Sequence, residues 1–176
     1  MNESSAPSVV RLAQYTKAER HEITGGADDP AGVAVTGLTW RDKDIHFGVR
    51  QHGRLVAHAG LIQATVSLGG RSLPVAGLGG VVVAPGLRGS GLARLVVTAA
   101  TDHARGTEAE LGLLFCWPRL IPLYERLGWR PLDGDIEAEQ PDGPVTMPLR
   151  HMWTPLTEGA EWPAGGGPAR LLSLPF

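Results

Sequence analysis

The chain has 176 residues, 43% of them hydrophobic and 19% charged, with a formal net charge of −2. That is enough to bury a core without staples, and no basic stripe points to nucleic acid. Cys116 is the only cysteine, which excludes an internal disulfide and suits a reducing compartment.

Residues 1–7 are small and polar and read as a disordered tail, without the charged and then apolar regions of a signal peptide. Apolar runs fall short of the ~20 residues a membrane span needs. The expectation is a cytoplasmic protein with one domain over residues 8–176 and no membrane partner.

Val9 to Ala13 suits a short strand, and Lys17 to Ile23 a weak helix closed by Gly25-Gly26. Gly25 to Gly37 is rich in Gly, Ala, Asp and Pro and reads as a loop, either a plain connection or a cover for a site. Antiparallel strands follow at Ile45 to Gln51, Arg54 to Leu68 and Ser72 to Val83. The turns between them are His52-Gly53 and Gly69-Gly70. Gly77, Gly79 and Gly80 lie inside the third strand, where glycine marks a bulge or a close approach.

The period then changes. Leu92, Leu95, Val96 and Ala99 recur at helical spacing, so Gly91 to Arg105 is a helix. Leu111 to Cys116 is a continuous apolar run and reads as a buried strand. Pro122 to Leu127 is a short helix that Gly128 ends. Trp129 to Leu132 and Val145 to Leu149 read as a final strand pair, and the Gly- and Pro-rich tail from Thr154 as irregular. These elements describe an α+β domain with a mixed, mostly antiparallel sheet flanked by helices.

Chemistry concentrates in Val81-Val82-Val83-Ala84-Pro85-Gly86-Leu87-Arg88-Gly89-Ser90-Gly91-Leu92-Ala93. A buried strand stops at a proline, and a helix starts amid glycines. The first N–H groups of a helix lack internal partners and lie at the positive end of its dipole, which suits an anion. Gly89 and Gly91 leave room for a phosphate to reach the main chain, and Arg88 adds a charged donor. A dinucleotide fingerprint would need glycine where Arg94 stands, and a P-loop would need Gly-Lys-Ser/Thr.

What remains, Arg-x-x-Gly-x-Ala after Val-x-Pro, resembles the coenzyme-binding motif of the GNAT acetyltransferases. Leu113 to Pro118 followed by Leu123 to Trp129 resembles that family's downstream block. The resemblance implies a GNAT domain that uses acetyl-CoA as co-substrate, with no metal. It implies cofactor contacts from Val81 to Val83, Arg88 to Ala93, Cys116 and Tyr124. It also implies that a main-chain N–H within Val81 to Val83, with Val82 the central choice, polarises the thioester carbonyl. Tyr124 would donate a proton to the departing sulfur. Cys116 lies in an apolar strand with no sign of thiolate activation, and reads as packing rather than as a nucleophile.

A closer resemblance, to the aminoglycoside 2'-N-acetyltransferases, rests on Trp40, His58 to Gln63, Gly128-Trp129, Pro141-Asp142-Gly143, Glu161-Trp162 and Ala164-Gly165. It implies a small-molecule amine acceptor of amino-sugar type. It makes Trp40, Asp42, Gly79, Asp142, Glu161 and Trp162 the candidate acceptor contacts, with Asp44 beside them. Gly79 stands where those enzymes carry a glutamate. His58 is either a general base or a structural histidine. Two alternatives stay open: a transferase with another acyl chain or acceptor, and an acyl-CoA-binding module without catalysis. A homodimer is the family's common assembly.

Overall fold

A computed structural model describes residues 6–165 and 167–176; residues 1–5 of the expected tail lie outside the described residues. The fold is organised on a long hairpin. Strand β1 (Val9–Leu12) and helix α1 (Lys17–Thr24) lead into it. Thr16 caps α1 through a reciprocal box with Glu19, and Gly25 ends it in the left-handed region at φ 63°. Strand β2 (Ile45–Gln51) then turns at His52-Gly53 into β3 (Arg54–Leu68), which turns at Gly69-Gly70 into β4 (Arg71–Val83). Both turns have positive φ at both central residues, matching the right-handed twist of the strands they join.

A short turn at Pro85–Leu87 leads to α2 (Leu92–Ala104), and β5 (Leu111–Cys116) returns parallel to β4. Helix α3 (Ile121–Glu125) and strands β6 (Arg130–Pro131), β7 (Ile136–Ala138), β8 (Val145–Thr146), β9 (Arg150–Pro155) and β10 (Ala169–Leu171) complete the domain. Among the described residues, ten strands form one sheet along β6-β9-β5-β4-β3-β10-β7-β8, with β2 and β1 leaving it from β3. The α+β, mostly antiparallel architecture matches the expectation from sequence.

Apolar side chains cover both faces of this sheet. Leu92, Val96, Val97 and Ala100 of α2 pack with Phe47, Val49, Ala57, Ala59 and Leu61. Ile62, Val66, Leu113, Trp153, Leu171 and Phe176 form a second cluster. A small third one joins Leu12, Ile23 and Leu55 beneath α1.

The structure corrects the C-terminal third in two places. Trp129 to Leu132 and Val145 to Leu149 do not pair with each other. Arg130–Pro131 pairs with β9, and Val145–Thr146 with β7. The tail from Thr154 is not irregular throughout. Its β10 enters the sheet antiparallel to β3 and parallel to β7, and Phe176 at its end is 3% exposed. Local composition hid this, because β10 is anchored by partners distant in sequence rather than by its own propensity.

Leu171 is fully buried. Leu171→Ala should cost about 2–5 kcal/mol in denaturant unfolding, because the core around it cannot collapse freely. An irregular, peripheral tail would give almost no change.

Candidate active site

The cleft originates in the register of two strands. The parallel pairing of β4 with β5 runs from Val75↔Leu111 to Leu78↔Leu114 and stops there. Beyond it, residues 79–83 stay with β3 while β5 turns to pair only with β9, through Phe115 and Cys116. Main-chain groups of β4 are thereby left facing an opening. A bulge interrupts β4 at this point, where the pairing to β3 shifts between His58 and Gly60. The opening widens into a cleft of about 1470 Å³, above the ~300–1,000 Å³ of ordinary small-molecule sites.

One end of the cleft is the start of α2. Its cap residue Gly91 has φ 85° and supplies no side-chain hydrogen bond, and Gly89 has φ 78°. A Cβ built on either glycine would meet nothing within 4 Å. Among the described residues no side chain comes within 4 Å of those positions, so the first N–H groups of α2 remain available to an anion. Arg88, Gly89, Gly91, Leu92 and Ala93 all line the cleft. Ser90 does not; it is exposed, and its hydroxyl donates to the Leu87 carbonyl.

Val81, Val82 and Val83 also line the cleft. The Ala84 N–H donates to the Val56 carbonyl at 2.9 Å. Antiparallel alternation then turns the Val82 main chain toward His58 and the Val83 main chain toward the opening. Val81 falls in the bulge. Val82 is therefore the least suited of the three to polarise a ligand carbonyl, because its N–H belongs to the ladder.

Tyr124 and Cys116 sit side by side at the far wall. Tyr124 packs edge-on to Trp129 with ring centroids 6.5 Å apart. Burial pushes its hydroxyl well above the usual phenol range, and the nearby Cys116 adds to the effect. Burial also pushes the Cys116 thiol up to about 11, against the pull of Arg150. A thiol held protonated is a poor nucleophile, and Cys116 serves here as a wall.

The other end of the cleft holds Trp40, Asp42 and Gly79. The indole N–H of Trp40 is buried and has no partner among the described residues. A Cβ on Gly79 would lie 2.7 Å from Lys43 Cε and 2.7 Å from the Phe176 main-chain carbon. No acidic side chain fits at this position, because a lysine and the end of β10's extension occupy its space. Asp44 is turned away into an ion pair with Arg41 at 3.0 Å. Asp142, Glu161 and Trp162 do not line the cleft. Glu161 faces Arg130 at 3.9 Å, and Trp162 borders a smaller hollow beside Leu68 and Leu132. The structure does not bring these three to the residues they were expected to join.

Several residues of this end were not singled out from sequence: Tyr15, Arg20, Lys43, His46 and Phe176. Their only sequence signals were one of two lysines and a closing apolar Leu-Pro-Phe. The 25–37 loop borders the cleft through Asp28 to Ala31, and the Trp117 indole holds it by donating to Ala31 O at 2.9 Å. Burial lowers Lys43 to about 8, with Asp42 opposing the shift and Arg20 adding to it.

His58 is 1% exposed with both ring nitrogens engaged. Nδ1 lies 2.7 Å from Gly80 O, and Nε2 lies 2.9 Å from His46 Nδ1. Burial drives it down to about 4, opposed by the Gly80 hydrogen bond and aided by His46, Lys43 and Arg20. Burial likewise lowers His46. With both ring nitrogens engaged and burial lowering its proton affinity, His58 is poorly placed to act as a general base. Its folded pKa is depressed, so its stabilisation is present above the unfolded value near 6.5 and is lost as pH falls through about 4. Thermal midpoints should stay flat above pH 7 and fall across that window. His58→Asn should make the fall shallower by up to ~1.4 kcal/mol per pH unit. Identical slopes in calorimetry would count against a neutral, buried His58.

Residues 37–132 match the Acetyltransferase (GNAT) domain family. An aminoglycoside 2'-N-acetyltransferase from Mycolicibacterium fortuitum is 31% identical over 104 residues, 59% of this chain and 53% of that protein. The chain thus matches about half the length of this curated relative. Among solved structures, the ribosomal-protein-S18-alanine N-acetyltransferase of Escherichia coli aligns over 89% of this chain and 99% of its own, with TM-score 0.57 and 19% identity. A GNAT family N-acetyltransferase of Escherichia coli in complex with CoA aligns over 97% of this chain and 93% of its own, with TM-score 0.58 and 16% identity. These two speak to the fold alone. With more than half of its length matched to the family, on a divided sheet and an open helix mouth, the chain belongs to the GNAT acetyltransferases.

Proposed function

We propose that this protein transfers an acetyl group from acetyl-CoA to the primary amine of a small molecule, by direct attack within a ternary complex. The observation that carries the reading is the parting of β4 from β5 next to the unplugged start of α2. Amides at that helix mouth and Arg88 suit a diphosphate, and the exposed edge of β4 suits an amide-bearing arm laid alongside it. Acetyl-CoA would supply a thioester at the end of that arm.

The chain's own groups then divide the work. Main-chain N–H groups of Val81 and Val83 are the candidates to stabilise negative charge on the carbonyl oxygen. Tyr124, kept protonated by burial, is the proton donor to the leaving sulfur. Across the reaction a carbon–nitrogen bond forms, a carbon–sulfur bond breaks, and the proton lost by the amine is matched by the one gained by the thiolate.

The acceptor end favours an amine that also carries a negative group. Lys17, Arg20 and Lys43 face it together with Asp28, Asp29 and Asp42. Asp29 is already spent on the N–H groups of Val33 and Ala34 at 3.0 and 2.8 Å. A polycation needs carboxylates, and Gly79 has no space for one. An amino-sugar acceptor is the second reading, supported by the likeness to the Mycolicibacterium fortuitum enzyme.

Thiol release from acetyl-CoA over a panel of amines tests both. Carboxylate-bearing amines should turn over faster than aminoglycosides, and the reverse order would favour the second reading. Binding of acetyl-CoA without turnover on any amine would overturn the enzyme. Tyr124→Phe should lower kcat by about 10²-fold or more while acetyl-CoA affinity holds; unchanged kcat would remove Tyr124 from the chemistry.

A further inference from the structure

His58 has no bond left for a substrate, yet it lies against the bulge of β4 at the centre of the cleft wall. A carbonyl oxygen only accepts, so the 2.7 Å contact to Gly80 O requires the proton on His58 Nδ1. In the neutral ring Nε2 is then an acceptor, and His46 Nδ1 must donate to it across 2.9 Å. Tyr15 stacks on the His58 ring at 3.7 Å with 7° between planes, which leaves the ring no room to rotate. Three contacts on a buried ring thus converge on one carbonyl.

That carbonyl belongs to a peptide with unusual freedom. Gly80, one of its two flanking residues, has φ 61°, in the left-handed region that glycine enters at no cost. No cis bond occurs among the described residues. In a trans peptide the carbonyl and the N–H point in opposite directions. The Val81 N–H therefore points away from the His58 ring, and Val81 lines the cleft. If the peptide turned over, a carbonyl oxygen would face a developing oxyanion in place of a donor.

We propose that His58 is a positioning residue for acyl transfer: by holding the Gly80 carbonyl, it presents the Val81 N–H to the thioester carbonyl. This rests on the acyl-CoA reading of the cleft. A hydrogen bond accepted by the carbonyl also polarises the amide and strengthens the N–H as a donor. His46 fixes the tautomer of His58, and Tyr15 fixes its plane.

The test compares His58→Phe, which keeps the aromatic stack without the donor, with His58→Asn, whose amide N–H can take the place of Nδ1–H. Kinetics, acetyl-CoA calorimetry and the infrared carbonyl stretch of bound [1-13C]acetyl-CoA are measured for each. For His58→Phe, kcat should fall about 10²-fold, as when one oxyanion donor is lost. Acetyl-CoA affinity should hold, and the carbonyl stretch should move toward that of the free thioester. His58→Asn should recover most of both.

Under positioning the loss is the same at every pH, whereas loss of a general base would remove the acidic limb of the kcat profile, which would overturn the proposal. A His58→Phe enzyme with lower thermal stability but intact kcat and carbonyl stretch would overturn it too. Should that variant not fold, His46→Leu should shift the stretch in the same direction, and no shift there would sink the idea. A wild-type protein that fails to bind acetyl-CoA would instead remove the cleft reading on which this one stands.

Discussion

The site depends on a hydrogen-bond ladder that stops. Parallel pairing between β4 and β5 ends at Leu78 and Leu114, and among the described residues no other strand pairs with 79–83 on that side. Unpaired main-chain groups are costly when buried. The molecule meets the cost by opening the gap into the cleft, where solvent can reach those groups. The bulge at Gly79 to Val81, the mouth of α2 and the position of Tyr124 have their roles because the gap is there.

The two ends of the cleft follow different logic. The end at the start of α2, the proposed cofactor end, is built from main chain and positive dipole, with few side-chain demands. The acceptor end is built from side chains that compete for little space. Lys43 and the Phe176 main chain meet over Gly79, so the identity of that residue is set by crowding. Removing a carboxylate from this point changes the electrostatic character of the acceptor end as a whole. Partly buried beside Asp42, Lys43 adds positive charge there.

The legible parts of the sequence were those where local chemistry decides the structure. Gly69-Gly70 fixed a hairpin, the spacing of Leu92, Val96 and Ala99 fixed a helix face, and glycines around Arg88 marked the start of α2. Tyr124 and Cys116 could be placed because a continuous apolar run and a Pro-flanked helix bracket them. The acceptor end was not legible, since it is assembled from β10's extension, the 25–37 loop and β2, which only the folded sheet brings together. His58 was visible as a histidine on a strand, but its role depends on a bulge that shifts register by one residue. Glu161 and Trp162 misled because a likeness between short motifs carries no information on where a tail is threaded.

The threading of β10 shapes how the domain assembles. Its Arg170 and Leu171 pair with Ser67 and Val66, about a hundred residues earlier, so the loop to be closed is among the longest the chain offers. Closure of such a loop is entropically slow compared with that of the local β2-β3-β4 hairpins. The wall that carries Phe176 thus costs more loop-closure entropy than the start of α2, which neighbouring segments build. One end of the cleft is therefore closed by contacts between the two halves of the chain, and the other within a single strand-turn-helix segment.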